Sequence, residues 1–126
     1  MDTLLLIFKA LADRNRMRIM AALLQHEELC ACQLTELLGV AGATASRHLG
    51  QLQSAGLIES RKKGRWVFFS LKTGLPGDLP LSWLQEQLSQ SEIIAGDREH
   101  LQAILMENPE TICRRQRGEK CVQEKT

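Results

Sequence analysis

Cys30 and Cys32 stand one residue apart in the run Glu27-Glu28-Leu29-Cys30-Ala31-Cys32-Gln33-Leu34. Thiolate sulfur is a soft ligand and selects thiophilic ions over magnesium or calcium. A thiophilic ion that takes three thiolates finds two of them in this pair. Of the chain's four cysteines the other two, Cys113 and Cys121, are the candidates for a third ligand, from the same or a partner subunit. A small-molecule thiol or hydroxide would also serve. The plainer reading is that the pair packs as small apolar side chains, as cysteine often does. A helix start beside the pair would lower a thiol pKa, while Glu27 and Glu28 oppose this. Residues two apart within a helix point ~200° from one another, because each turns the chain ~100°. Two sulfurs so placed cannot both reach one ion, so binding requires the first turn of the third helix to be unwound or unwinds it.

Helical periodicity surrounds the pair. Leu4, Leu5, Phe8 and Leu11 predict a helix over 3–12. Asp13 is a suitable cap for a second helix over 14–25, with Met17, Met20, Leu23 and Leu24 inward. Residues 26–30 read as a link to a third helix, 32–38, ended by Gly39; a turn at 41–43 leads to a fourth, 43–55, ended by Gly56. Leu49, Leu52 and Ala45 face its core side. The period then changes: 57–61 and 66–71 read as strands joined by the basic tip Lys62-Lys63-Gly64-Arg65. Pro76, Gly77 and Pro80 break the chain before helices at 81–90 and 93–107. Residues 1–108 make one domain, and 109–126 a polar, cysteine-containing tail, poorly ordered unless something ties it down.

Composition narrows the function. The chain has 126 residues and a net charge of +1, so any affinity for nucleic acid rests on local charge. The apolar run near the N-terminus is too short for a signal peptide, and no stretch approaches the ~18 apolar residues of a membrane span. A cytoplasmic protein is expected. In a reducing compartment four cysteines favour metal or redox chemistry over structural disulfides. No nucleophile–base set, phosphate-cradling glycine loop or paired carboxylates mark an enzyme. Met17, Met20 and Met106 read as core, and His26 and His100 as surface or structural residues.

Helix, turn, helix and β-hairpin, in that order, are the plan of a winged helix-turn-helix: mainly α with a small β-hairpin, and dimeric. Between Ala43 and Arg65 the basic residues are Arg47, His48, Arg61, Lys62, Lys63 and Arg65, against one acid, Glu59. Charge so confined suits phosphate. Thr44, Ser46, Arg47, His48 and Gln51 stand where a recognition helix presents side chains to base edges. The wing cations suit the DNA backbone. The double-stranded partner would be a two-fold operator, which a homodimer matches. Leu4, Leu5 and Phe8 on the first helix, with Ile93, Ile94, Leu101, Ile104 and Leu105 on the last, are the expected dimer surface.

Residues 5–72 resemble the ArsR/SmtB family of dimeric, metal- and metalloid-sensing winged-helix repressors. The resemblance is carried by Phe8–Ile19, by Glu28-Leu29-Cys30-Ala31-Cys32-Gln33-Leu34, by Ser46-Arg47-His48-Leu49 and by Gly56-Leu57-Ile58. The arsenite-responsive branch looks closest, which implies arsenite or antimonite as inducer and release of DNA on binding. That branch commonly has a third cysteine three residues after the pair, where this chain has Thr35. Cadmium/lead sensors share the pair but add N-terminal cysteines, and this chain has none before Cys30. Zinc and nickel sensors use acid and histidine ligands on the last helix, of which Asp97, Glu99 and His100 are a partial echo. The alternatives are thus a Cd/Pb/Zn-sensing repressor of the same family and a thiol-redox regulator, in which the strain of a Cys-x-Cys disulfide would recruit Cys113 or Cys121.

Overall fold

Asp13 shows how directly the local sequence becomes structure. Its carboxylate accepts the Arg16 backbone N–H at 3.1 Å, satisfying an orphan donor at the start of a helix. In the computed structural model, which describes residues 1–72 and 81–116, that helix is α2 (Arg14–Gln25). It follows α1 (Asp2–Leu11) and precedes β1 (Leu29–Cys30), α3 (Ala31–Leu38), α4 (Gly42–Ser54), β2 (Ile58–Lys63) and β3 (Trp66–Leu71). Then come α5 (Leu81–Ser89), α6 (Glu92–Leu105) and α7 (Pro109–Gln116).

Glycines at positive φ end both helices of the helix-turn-helix. Gly39 (φ 68°) stops α3. At Gly56 (φ 78°), the Leu57 N–H reaches the Leu52 carbonyl and the Gly56 N–H that of Gln53. This pattern, with Leu52 and Leu57 fully buried, is a Schellman stop. It fixes where α4 ends and where the wing begins.

The three strands form one antiparallel sheet in the order β1-β3-β2. β2 and β3 are the expected hairpin, closed between Lys63 and Trp66. β1 was read as a link. It pairs Leu29 with Phe69 and Cys30 with Phe68, so one of the cysteines lies in the wing's own sheet.

The core lies between α2, α3, α4, α6 and the sheet, with Ile19, Met20, Leu29, Leu34, Leu37, Leu52, Leu57 and Ile58 almost solvent-free. Ile112 of α7 joins them. Residues 109–116, read as the start of a tail, are thus tied down. Asn108 Oδ1 accepts the Glu110 N–H (2.8 Å), Pro109 opens the helix, and Arg115 pairs with Glu36 and Glu107, each at 3.0 Å. Two side-chain placements are corrected. Ile94, Leu101 and Ile104 face the chain's own core, where α6 packs on α2 and α3, and are not available to a partner. Met106, read as core, is 86% exposed, because α6 ends one residue before it.

Arg18 fastens these parts together. Its guanidinium takes both oxygens of Asp97 on α6 (2.7 and 3.0 Å) and also donates to the Leu37 carbonyl at the end of α3 (3.0 Å). The pair is largely buried, and bidentate geometry is the strong form of this bond. Asp97 is therefore occupied, and Glu99 and His100 are exposed, so the echo of a last-helix metal site does not assemble. Among the described residues no three of His, Cys, Asp and Glu come together as a metal cluster.

Candidate thiol site and nucleic-acid interface

Cys30 is the N-cap of α3, with extended backbone (φ −82°, ψ 160°), and Cys32 sits in the first turn. The extended cap turns the Cys30 side chain back over the helix start. The two sulfurs lie 3.0 Å apart, on one side. The expectation that they point apart until the first turn unwinds is corrected: it assumed that both residues are helical, and one is not. The Gln33 side chain fixes the cap by accepting the Cys30 N–H at 2.9 Å.

Both thiols are free and buried, with Cys30 1% and Cys32 8% exposed. The Cys32 S–H donates to Cys30, and this lowers the Cys30 thiol to about 7; burial opposes the shift, and the N–H groups of Gln33 and Cys32 assist it. Cys32 is pushed up, first by its hydrogen bond to Cys30, then by burial and by the charge that Cys30 acquires. One thiolate is therefore available near neutral pH, and the second proton leaves only when something stronger replaces it. Glu28 does not bear on the pair as expected. Its carboxylate turns to the wing, meeting Arg61 at 2.7 Å and Lys63 at 3.4 Å. The Arg61 hydrogen bond, which outweighs burial, and Lys63 hold it below the usual carboxylate range.

Beside Cys32 opens a cavity of about 440 Å³, bounded by α3, α4, β3 and α7. Cys113 lines it too, and is disulfide-bonded. Gln116 crosses to α3, donating to the Cys32 carbonyl at 2.8 Å and to Glu36 at 3.1 Å. Thr35, in the place of a third cysteine, is buried and gives its hydroxyl to the Ala31 carbonyl (2.8 Å). Cys121 lies outside the described residues.

On α4, Ser46, Arg47 and Gln51 are exposed and Thr44 is half-buried. His48 is corrected. It is 7% exposed, and its Nδ1 lies 3.2 Å from Arg16 Nη1 and 3.9 Å from Asp13 Oδ2. It faces α2 because it shares the inward stripe of Ala45, Leu49 and Leu52. Arg16, missed in the sequence, reaches over His48 to donate to the Gln51 side chain, and is anchored on the Ala10 and Lys9 carbonyls. Burial raises the Asp13 carboxyl, but the Arg16 N–H and the charges of Arg16 and His48 outweigh it and hold the group low.

The wing projects Arg61, Lys62, Lys63 and Arg65, all exposed. Gly64 takes the positive φ (60°) that its two-residue turn needs. Arg65 pairs with Glu110 on α7 at 3.2 Å, and Gln53 of α4 donates to Ser60 of β2 at 3.1 Å. Among the described residues Lys62 has no ion pair. None of these acidic partners was foreseen, because Glu28 and Glu110 are far from the wing in sequence.

A family model described as "Bacterial regulatory protein, arsR family" matches residues 13–60, which run from the α2 cap into β2. The arsenic resistance transcriptional regulator ArsR2 of Pseudomonas putida is 38% identical over 82 residues, 65% of this chain and 67% of that protein. The cadmium resistance regulatory protein CadC of Listeria innocua is 38% identical over 65 residues, 52% of this chain and 55% of its own. The chain spans about half the length of such curated relatives. Among solved structures, HlyU from Vibrio cholerae superposes with a TM-score of 0.58 at 27% identity, covering 71% of this chain and 90% of that one. No helix among the described residues is long and apolar enough to cross a membrane. Recognition helix, wing and matched sequence agree: the chain belongs to the ArsR family of DNA-binding transcriptional regulators, which are not enzymes.

Proposed function

We propose that the chain is a cytoplasmic, homodimeric repressor that holds a two-fold operator and releases it when trivalent arsenic or antimony binds Cys30 and Cys32. The observation that carries this is the pair of buried free thiols, 3.0 Å apart, one of them in the wing sheet and the other in the helix that supports α4. In the DNA-bound form Ser46, Arg47, Gln51 and Thr44 face the groove, and the cations Arg61, Lys62, Lys63 and Arg65 meet phosphate.

Binding would exchange two As–O bonds of arsenous acid for As–S bonds to Cys30 and Cys32, the two hydroxides leaving as water with the thiol protons, and would remove the Cys32–Cys30 hydrogen bond. Two sulfurs on one pyramidal centre sit further apart than this hydrogen-bonded pair. The Cys30 backbone is held by Phe68 of β3, and Cys32 by the first turn of α3. Spreading the sulfurs therefore strains the junction between wing and helix-turn-helix. A coupling of ~1–3 kcal/mol, about 5–150-fold in affinity, is typical of such linkage. Soft-ligand preference and the arsenic-regulator relative favour the metalloid over harder ions.

The test is operator release under full reduction. Wild type should leave DNA on adding arsenite. Cys30→Ser and Cys32→Ser should each bind DNA nearly as wild type and stay bound, since serine keeps the size but is a poor ligand. Release of Cys30→Ser at the wild-type arsenite concentration would make the pair structural. A redox reading also draws on the lowered Cys30 thiol. It requires release by an oxidant with no metalloid present.

A further inference from the structure

We infer that Arg16 decides which base edge Gln51 reads: it turns the Gln51 carboxamide so that only N–H donors face the groove, and these take guanine rather than adenine. The inference rests on the reading of α4 as the helix that enters the groove, and carries it to one base contact. Gln51 is exposed on α4, and its Oε1 accepts from Arg16 Nη1. Arginine carries donors and no acceptor, so this bond fixes which end of the amide is oxygen. The oxygen faces α2. The Nε2 group has no partner among the described residues and is left to the outside.

Arg16 is held in this posture from α1. Its Nε donates to the Ala10 carbonyl at 2.6 Å and its Nη2 to the Lys9 carbonyl at 3.3 Å. Both carbonyls belong to the last turn of α1, where a cation is favoured. Nη1 also meets Nδ1 of the buried His48 at 3.2 Å. Four of the five N–H groups of the guanidinium are thus engaged, and the side chain is not free to swing out to phosphate. It is a positioning residue for Gln51. Glutamine's common bidentate partner is adenine, whose N6–H goes to the amide oxygen while the amide nitrogen gives to N7. Here the oxygen is turned to α2 and already accepts from a cation, so that pairing is lost. Guanine offers two acceptors, O6 and N7, and the two N–H bonds of one amide nitrogen meet that edge. Arg47, four residues earlier on the same exposed face, brings donors of its own.

The experiment uses the full chain, reduced and without metalloid, and a pool of duplex DNA with a randomised centre. Repeated selection gives the preferred base at each position for wild type, Gln51→Ala, Gln51→Lys, Gln51→Glu and Arg16→Met. In wild type one position should prefer guanine over adenine by about tenfold. That preference should vanish in Gln51→Ala and survive in Gln51→Lys, whose ammonium only donates. In Gln51→Glu, which only accepts, it should give way to cytosine. The remaining positions, including any that Arg47 reads, should stay as in wild type. Arg16→Met keeps the stem and removes the donors. The amide then turns freely, and the same position should take adenine at least as well as guanine. Circular dichroism checks that this variant folds; where it does not, the wild-type choice of base and the three variants of the exposed Gln51 still decide. A base other than guanine at the Gln51-dependent position in wild type would overturn the inference. So would a guanine preference unmoved by Arg16→Met, or equal patterns in wild type and Gln51→Ala. Each of these leaves the operator reading standing, since a sequence is still selected. Enrichment of no sequence by wild type would overturn both.

Discussion

The division of labour between Cys30 and Cys32 follows from one hydrogen bond. Thiolate forms on the cysteine that accepts, and the donor keeps its proton. The ultraviolet thiolate absorbance of the reduced protein should therefore show one group titrating near pH 7, since the Cys30 thiol stands at about 7. Its sign is that thiolate, and with it the rate of arsenite capture, rises as pH climbs through that value. In Cys32→Ala the largest lowering influence is gone, and the midpoint should move up. An unmoved midpoint would mean that the backbone N–H groups at the helix start do the work alone. The same scale shows what was legible. The pair and the exposed Ser46, Arg47 and Gln51 can be read from residue type and position. The inward turn of His48 was readable too, from the stripe 45, 48, 49, 52, but its chemistry drew attention to DNA. The separation of the two sulfurs was not legible, because it depends on one ψ angle at the helix cap.

Elements with strong period or strong punctuation were legible in the sequence. α2 and β3 fall where expected, and the Gly39 and Gly56 stops are where glycine placed them. β1 was not, since two residues carry no period, and its identity comes wholly from pairing with Phe68 and Phe69. α7 left a signal that was passed over: Asn108-Pro109-Glu110 is a helix start, and Arg114-Arg115 suits a helix end. What these two elements do is restrain the wing electrostatically. Glu28, next to β1, neutralises Arg61 and Lys63, and Glu110 on α7 neutralises Arg65. Lys62→Ala should reduce the salt dependence of operator binding by roughly one unit of log–log slope. Glu28→Gln should do the opposite, steepening the slope and raising affinity for all DNA, because two cations no longer face a carboxylate. Equal slopes in both variants would show that the wing does not touch phosphate.

At the scale of the whole molecule, apolar surface is left over. Leu4, Leu5 and Phe8 on α1 are 51%, 57% and 59% exposed, and Ile93 and Leu105 on α6 are exposed as well. For a 126-residue chain this is more than solubility favours. In the proposed dimer they are covered. Leu5→Glu/Phe8→Glu should then sediment as a monomer at micromolar concentration and lose most operator affinity, since one half-site remains. A wild-type monomer that binds the operator intact would remove the dimer from the scheme.

The Arg18 clamp also has a kinetic consequence. Because one guanidinium ties α2, the end of α3 and α6, no one of these segments opens without breaking bonds to the other two. Amide hydrogens along all three should exchange with deuterium at a shared, slow rate. In the monomeric Leu5→Glu/Phe8→Glu variant, which leaves α1 uncovered, the α1 amides should exchange much sooner. Asp97→Asn weakens the ion pair with little change of shape. It should split the slow class in two, with α6 amides exchanging ahead of α2, and so divide one cooperative unit into a pair of smaller ones.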